Sequence, residues 1–411
     1  MVKICLKIGT AVLFFTISSV SAQTINEGEL TVLQGTDFST LSDFDNKTMG
    51  DFINDGQLIV YSNFNNDGLV TFSPAKTTGL TCFKGSAHAQ VISGTEISEF
   101  NNVRFESNAV QPAFLLSGII TVYGTSDFYK GIVSNSNLGG TFVFEEDATH
   151  DNTNDDSYVE GYVQRKGNNE FQFPVGDGGY FRPLGINKTD TSGNLFKSKY
   201  IFENSDSLHS HTQKDDLITL INNTEYWEFE SNQSAIDAAL TLTWNDGTTP
   251  YELTREDADA SLAIVRWDDA EEKWKLYTSA VDAQNQTVTA AVEKAGIFTL
   301  AKIRKANFDD DIVIYNALSP NGDGLNDYFN ITGLEKFAEN SLEIYNRYGV
   351  KVFEAADYGT NENWFRGISQ GRVTLNKGDG LPTGTYFYVL KVKSLNGTYK
   401  EKAGYLYINS N

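Results

Sequence analysis

The chain has 411 residues, 35 of them Gly, with 13% aromatic residues and a formal net charge of −22. So acidic a surface repels phosphate backbones and anionic lipid, which argues against nucleic acid as a partner. Of the two cysteines, Cys5 and Cys82, only Cys82 lies beyond the first 22 residues, so an intrachain disulfide would require Cys5 to be retained.

Met1 to Ala22 reads as a secretory signal peptide. Lys3 and Lys7 supply the positive end, Ile8 to Ile17 the apolar run, and Val20-Ser21-Ala22 the small or apolar residues at a cleavage site. The run is shorter than the roughly 20 residues of a spanning helix; an N-terminal membrane anchor is the alternative. Cys5 precedes the run, so it is not a lipid-bearing Cys at a cleavage point. Without Lys3 and Lys7 the charge becomes 30 − 54 = −24. No later segment is long and apolar enough to cross a bilayer. Roughly 390 mature residues set two to four domains with real cores. Abundant Gly and aromatics, polar connections and little helical periodicity give an all-β class.

Residues 23–165 read as a β-solenoid. Asn54-Asp55-Gly56-Gln57-Leu58-Ile59-Val60 is followed by Asn66-Asp67-Gly68-Leu69-Val70-Thr71-Phe72, with the glycines 12 residues apart and Gly79 a further 11 on. Gly118-Ile119-Ile120 and Gly140-Thr141-Phe142 look like further copies. Short Gly-punctuated strands at this spacing suit a parallel β-helix of four to six rungs. An antiparallel sandwich with a hairpin at each Asp-Gly is the alternative. Glu145 to Asp156 is an acidic stretch containing His150. Asp151, Asp155 and Asp156 are its candidate Ca²⁺ ligands, but the spacing does not fit an Asp-x-Asp-x-Asp-Gly loop, and a solvated loop is the simpler reading.

Residues 166–308 read as a β-sandwich. Phe171, Phe173 and Val175 alternate along one strand face, and Asp177 and Arg182 are placed to pair across the turn after it. This Phe-Pro-Val-Gly-Asp stretch is expected to lock the solenoid to the next module. Tyr226-Trp227-Glu228-Phe229, Leu240 to Trp244, Leu262 to Trp267, Trp274 to Tyr277 and Gly296 to Leu300 are strand-like. Four of the five Trp lie here. They read as core fillers at Trp227, Trp244 and Trp267, with Trp274 the best candidate for an exposed ring and a carbohydrate platform as the alternative. His209 and His211 would share one side of a strand and could meet Zn²⁺, but no third ligand is evident, and a polar loop is the simpler reading. Asp206-Ser207-Leu208 resembles an O-glycosylation sequon of Bacteroidota.

Residues 309–411, opened by Asp309-Asp310-Asp311, read as a small Ig-like sandwich. Three motifs launch its strands: Ser319-Pro320-Asn321-Gly322-Asp323-Gly324-Leu325-Asn326-Asp327, then Tyr345-Asn346-Arg347-Tyr348-Gly349, then Leu381-Pro382-Thr383-Gly384-Thr385-Tyr386. Asn-Gly, Asp-Gly and Pro-Thr-Gly set the turns. Asn321, Asp323, Asn326 and Asp327 could hold a cation, but turn chemistry explains them. Trp364, Tyr345, Tyr386 and Tyr388 are expected in the core. The last strand, Tyr405 to Ile408, is expected at an open edge, where a receptor could add a strand.

These three motifs, in this order, resemble the gliding motility-associated C-terminal domain of Bacteroidota, the type B sorting domain of type IX secretion. Tyr348 is a departure, since Trp is more usual there. The resemblance covers about a quarter of the chain. It implies docking on the type IX outer-membrane machinery and a place on the outer cell surface or beyond, after Sec export.

No Gly-x-Ser-x-Gly elbow, Gly-rich phosphate loop or His-Glu-x-x-His is present. Cys82 sits in a strand-like run as a small apolar filler. The chain therefore reads as a non-enzymatic adhesin or surface scaffold linked to gliding or attachment, with no cofactor beyond Ca²⁺ as an option. Surface glycans or other surface proteins are its candidate ligands. A secreted glycan-binding or glycan-degrading protein is the rival.

Overall fold

The computed structural model describes residues 23–85, 88–189, 193–257, 260–305, 307–360, 363–370, 380–394 and 397–410. The leader at 1–22 lies outside the described residues. Strands make up 50% of the chain and helices 4%. Among the described residues no helix is long and apolar enough to cross a membrane. A β-solenoid of about six turns is followed by antiparallel sheets. Two compact units result, one running to Thr141 with His150–Asn152, the other comprising Phe142–Thr149 and Thr153 onward.

In the first unit three parallel ladders run side by side. One begins with Gln23–Asn26, Asp43–Asn46 and Phe64–Asn66, the second with Glu29–Val32 and Asp51–Asn54, the third with Asp37–Thr40, Gln57–Val60 and Leu80–Phe83. Parallel pairing overturns the antiparallel alternative. The turn length differs from the 12-residue spacing of the Asn-Asp-Gly copies. Gln57 stacks on Leu80, 80 − 57 = 23 residues on, whereas Leu69–Thr71 belongs to another ladder. The 12-residue spacing therefore separates neighbouring sides of a turn.

Identical side chains stack between turns. Phe44 lies over Phe64 at 5.5 Å, Phe83 over Phe105 at 5.6 Å and Phe105 over Phe128 at 5.5 Å. These rings fill the interior, each offset stack adding to simple burial. At a corner, Asn26 Nδ2 donates to Asn46 Oδ1 and Asn46 Nδ2 to Asn66 Oδ1, both at 2.8 Å. The punctuating glycines serve this close stacking. A Cβ on Gly56 would lie 2.4 Å from the Leu33 carbonyl oxygen, and one on Gly68 2.3 Å from that of Lys47. Cys82 lies on the opposite face of its strand from Phe83, buried between Ile59 and Arg104 of the adjoining turns, and that burial pushes its thiol pKa up to about 11.

In the second unit Val163 to Arg165 lie parallel to Phe142 to Phe144 on one side and antiparallel to Leu195–Ile201 on the other. Coil stacking becomes ordinary antiparallel pairing there. The antiparallel sheet continues through Tyr226–Ser231, Gly296–Arg304, Ala260–Asp268 and Lys273–Leu276. A second sheet holds Phe171–Phe173, Leu184–Ile186, Ala238–Thr243, Thr287–Val292 and Ser279–Asp282. Phe173 of the second sheet meets Phe229 of the first at 6.2 Å. Val175–Asp177, just beyond Phe173, stacks parallel on Val159–Glu160, so the Phe-Pro-Val-Gly-Asp stretch joins the two kinds of pairing.

Two expectations for this region are corrected. Trp274 is fully buried, not exposed. It packs edge-on against Trp267 at 5.7 Å and donates through Nε1 to the His209 carbonyl at 3.1 Å. Asp177 and Arg182 do not pair. Asp177 accepts from the Phe202 amide at 3.0 Å, while Arg182 turns inward to Thr248 Oγ1 at 2.9 Å and Glu225 at 3.8 Å. Glu225 is wholly buried and also accepts from Tyr200, Asn222 and Thr249. The sequence signal for Arg182 was an Arg beside a Pro, which reads as a surface turn; nothing local marks it as a core cation.

Candidate functional site

The C-terminal region carries all three motifs. Its sheet consists of β1 (Ala317–Leu318), β2 (Glu339–Tyr345), β3 (Lys351–Ala356), β4 (Gly384–Lys393) and β5 (Tyr399–Ile408), in the spatial order β1-β5-β4-β2-β3. Only the β1–β5 pairing is parallel. A two-stranded sheet, Val313–Ile314 with Ile331–Thr332, accompanies it. The core gathers Phe329, Leu342, Ile344, Phe365, Leu390, Leu406 and Ile408, and Phe308 from the preceding segment joins it.

The first motif follows β1. Gly322, Gly324 and Asn326 take left-handed φ of +80°, +85° and +54°. Asn is one of the few non-Gly types that tolerate this backbone. Asp327 closes the loop: Oδ1 accepts from the Gly322 amide at 2.7 Å and Oδ2 from the Gly324 amide at 2.8 Å. The Leu325 amide and the Asn321 side chain donate to Asp323, holding its carboxyl below the usual range. The Ser319 amide donates to the Asn326 carbonyl at 2.8 Å. The loop's acidic groups thus neutralise its own amides.

The second motif turns β2 into β3. Asn346 Oδ1 accepts from the Tyr348 and Val350 amides at 2.9 and 3.0 Å, and Gly349 sits at φ +77°. Arg347 lies beyond the strand end, exposed, its guanidinium 4.9 Å from the Tyr348 ring centroid. Tyr345 is not a core residue. It is half-buried on the open face and donates to Glu343 at 2.9 Å. The third motif starts β4. Tyr386 is buried and donates to the Pro382 carbonyl at 3.0 Å, and Gly384 has φ +158°. Trp364 is half-buried against the core, 4.6 Å from Tyr328.

Register brings the motifs together. Leu318 lies opposite Ile408, Ile408 opposite Gly384, and Tyr345 opposite Phe387. All three motifs therefore sit at one end of the sheet. Gly367 fastens two of them: its carbonyl accepts from the Leu381 amide at 2.7 Å, and a Cβ there would approach Pro320 Cγ to 3.1 Å. The aromatic row Tyr345, Phe387 and Tyr405 across the open face follows from the same register. Phe387 and Tyr405 are among its exposed members. The sequence signal for this row was the odd-position Tyr of β5, which alternate with the buried residues.

The expectation of an open edge at Tyr405 to Ile408 is corrected. Tyr407 and Ile408 are covered by β1. The uncovered part of β5 lies earlier in the strand.

Charge differs between tail and body. Residues 312–411 hold ten Asp and Glu and ten Lys and Arg, 10 − 10 = 0, so the chain's −22 resides in residues 1–311. Among the described residues no group of three His, Cys, Asp or Glu is disposed to hold a metal. Asp151 ends an exposed strand, Thr149–Asp151. Asp155 accepts from the Phe181 amide at 2.7 Å, and Asp156 is exposed beside it. The Asp206–His211 segment is a short 3-10 turn and loop rather than a strand. His209 packs on Trp267 at 5.1 Å, and His211 Nε2 lies 2.9 Å from Ser205 Oγ. Burial lowers the pKa of both rings.

No curated protein matches the chain. Residues 312–408 match the model of the CHU_C type IX secretion signal domain. This span contains all three motifs, β1 to β5 and most of the core around them. The C-terminal region of this chain is a type IX secretion signal domain, the sorting domain of a Bacteroidota-type secretion substrate carried to the outer cell surface or released beyond it.

Proposed function

We propose that the chain is a non-enzymatic adhesin or surface scaffold. In this reading the leader at 1–22 takes it across the inner membrane, the folded tail engages the outer-membrane machinery, and residues 23–308 are the displayed part. The observation that carries the reading is the solenoid interior, which is packed with stacked Phe rings. A filled coil is a stiff rod whose working surface is its outside. Other surface proteins suit it better than glycans, because Trp227, Trp244, Trp267 and Trp274 are all buried and offer no flat ring to a sugar.

The test compares cells displaying the whole chain with cells displaying a chain that lacks 23–165. Both should reach the exterior, and only the first should support attachment to a surface or to other cells. Equal attachment would remove the adhesin reading. A panel of polysaccharides separates the rivals: retention without cleavage points to a glycan binder, depolymerisation to an enzyme.

A further inference from the structure

The outer edge of β5 carries an unused row of backbone groups. The Tyr407 amide points away from β4 and donates to the Asn316 carbonyl at 2.9 Å. Antiparallel residues alternate between bonding inward and outward. Tyr405, Ala403, Glu401 and Tyr399 therefore also turn their N–H and C=O groups away from β4. The hairpin end agrees in phase, since the Ser394 amide donates to the Thr398 carbonyl at 2.8 Å. β1 covers only Tyr407 and Ile408. Among the described residues nothing pairs with the backbone edge of Tyr399 to Tyr405.

We propose that Tyr399–Tyr405 is a docking edge onto which an extended segment of a partner protein adds as a further strand, with carboxylates on one of its sides and apolar residues on the other. The proposal deepens the delivery role of the tail and rests on it. The chemistry of the partner follows from alternation. Side chains of the added strand on the open face would lie beside Tyr399 and Tyr405, which are 66% and 57% exposed. Those on the opposite side would lie beside Lys400 and Lys402. Lys400 makes no ion pair among the described residues; Lys402 lies over the Phe308 ring at 5.4 Å, and its ion pair is with the exposed Asp309, at 3.6 Å, a pair of small worth. Glu401 is already neighboured by Lys391 at 3.5 Å. A second copy of the chain is a poor occupant, because antiparallel pairing centred on Lys402 sets that lysine against itself.

The edge is tested on the full chain with two probes, Ac-Glu-Val-Glu-Val-Glu-Val-Glu-amide and its Lys-for-Glu counterpart, by amide hydrogen exchange. In the free protein the amides of Tyr399, Glu401, Ala403 and Tyr405 should exchange fast while those of Lys400, Lys402 and Gly404 are protected. The acidic probe should slow the first group by about tenfold or more, and the basic probe should not. Prior protection of the first group, no slowing, or equal slowing by both probes overturns the proposal.

Export supplies the second arm. Ala403→Pro removes an outward N–H and leaves the β4 ladder intact. In a type IX-competent cell this variant, with Lys402 and Gly404 still protected, should stay inside while Ala403→Thr reaches the exterior like the unaltered chain. Normal export of folded Ala403→Pro overturns the proposal. Should Ala403→Pro not fold, the exchange experiment on the unaltered chain decides. Failure of the unaltered chain to be exported would instead strike the delivery reading, and the exchange result would still stand on its own.

Discussion

Arg304 holds Asp311 by two parallel hydrogen bonds, Nη1 to Oδ2 and Nη2 to Oδ1, each 2.7 Å. Lys336 of the tail adds a third contact to Oδ1 at 3.2 Å. Asp311 is buried, so the last strand of the sandwich, the connecting segment and the tail converge on one carboxylate. The two-pronged match of guanidinium and carboxylate is what makes an Arg pair specific in geometry.

Arg304 holds the Asp311 carboxyl far below the ordinary carboxylate range, helped by the Asn307 amide and Lys336. A carboxyl depressed on folding contributes stability above its unfolded pKa of about 3.9, and that contribution fades as pH falls below it. Asp311→Asn should cost about 1.5–3 kcal/mol at pH 7 and flatten the acid limb of the stability curve. Denaturant unfolding of both proteins at pH 7 and at roughly pH 3 checks this. Equal acid sensitivity would show that Asp311 is not the titrating group.

Asn46 is fully buried and donates to Asn66 Oδ1 and to the Leu69 and Gly50 carbonyls. Asn46→Leu keeps the size and strands the amide of Asn26 and those carbonyl oxygens. It should destabilise the first unit by about 2–4 kcal/mol, the cost of one or two buried polar groups left unpaired. The midpoint of urea unfolding measures it, with exposed Asn108→Leu as the neutral control.

In the sandwich, Glu225→Gln should be tolerated poorly. One carboxylate oxygen becomes an NH2 that must face either Tyr200 or Thr249, each a hydroxyl that already donates there, and buried Arg182 is left without its counter-charge. Breaking such a pair costs about 3–5 kcal/mol. The double variant Arg182→Met with Glu225→Leu should recover part of that loss in a thermal melt, since an apolar replacement removes both stranded charges.

Cys82 should be silent to thiol reagents in the native state. At pH 8 a thiol whose pKa is about 11 is almost entirely protonated, and its burial shields it. Maleimide labelling followed by mass spectrometry should show no modification until denaturant is added. Rapid labelling of the native chain would mean that its turn of the solenoid opens readily.

Local chemistry wrote much of this protein into its sequence. Gly and Asn-Gly demand particular backbone angles wherever they stand, so the sorting-domain turns at Asn321 to Asp327 and Asn346 to Gly349 were legible as turns. The alternation of Tyr386 and Tyr388 likewise marked an inward strand face, because side-chain direction along a strand has period two. Those cues are enough to recognise the tail and the all-β class.

Tertiary structure decided what depends on partners distant along the chain. The length of a solenoid turn emerged only from pairing, because Asn-Asp-Gly marks corners on different sides and close approach to a carbonyl of the previous turn, not curvature, is what requires Gly56. Trp274 went inside because a loop around His209 folded over it. Arg182 abandoned the nearby Asp177 for Glu225, a carboxylate brought within reach by sheet packing. Which part of β5 stays uncovered was settled by two residues of β1 at its far end. A sequence lists a side chain's near neighbours, whereas burial and pairing belong to the neighbours that folding supplies.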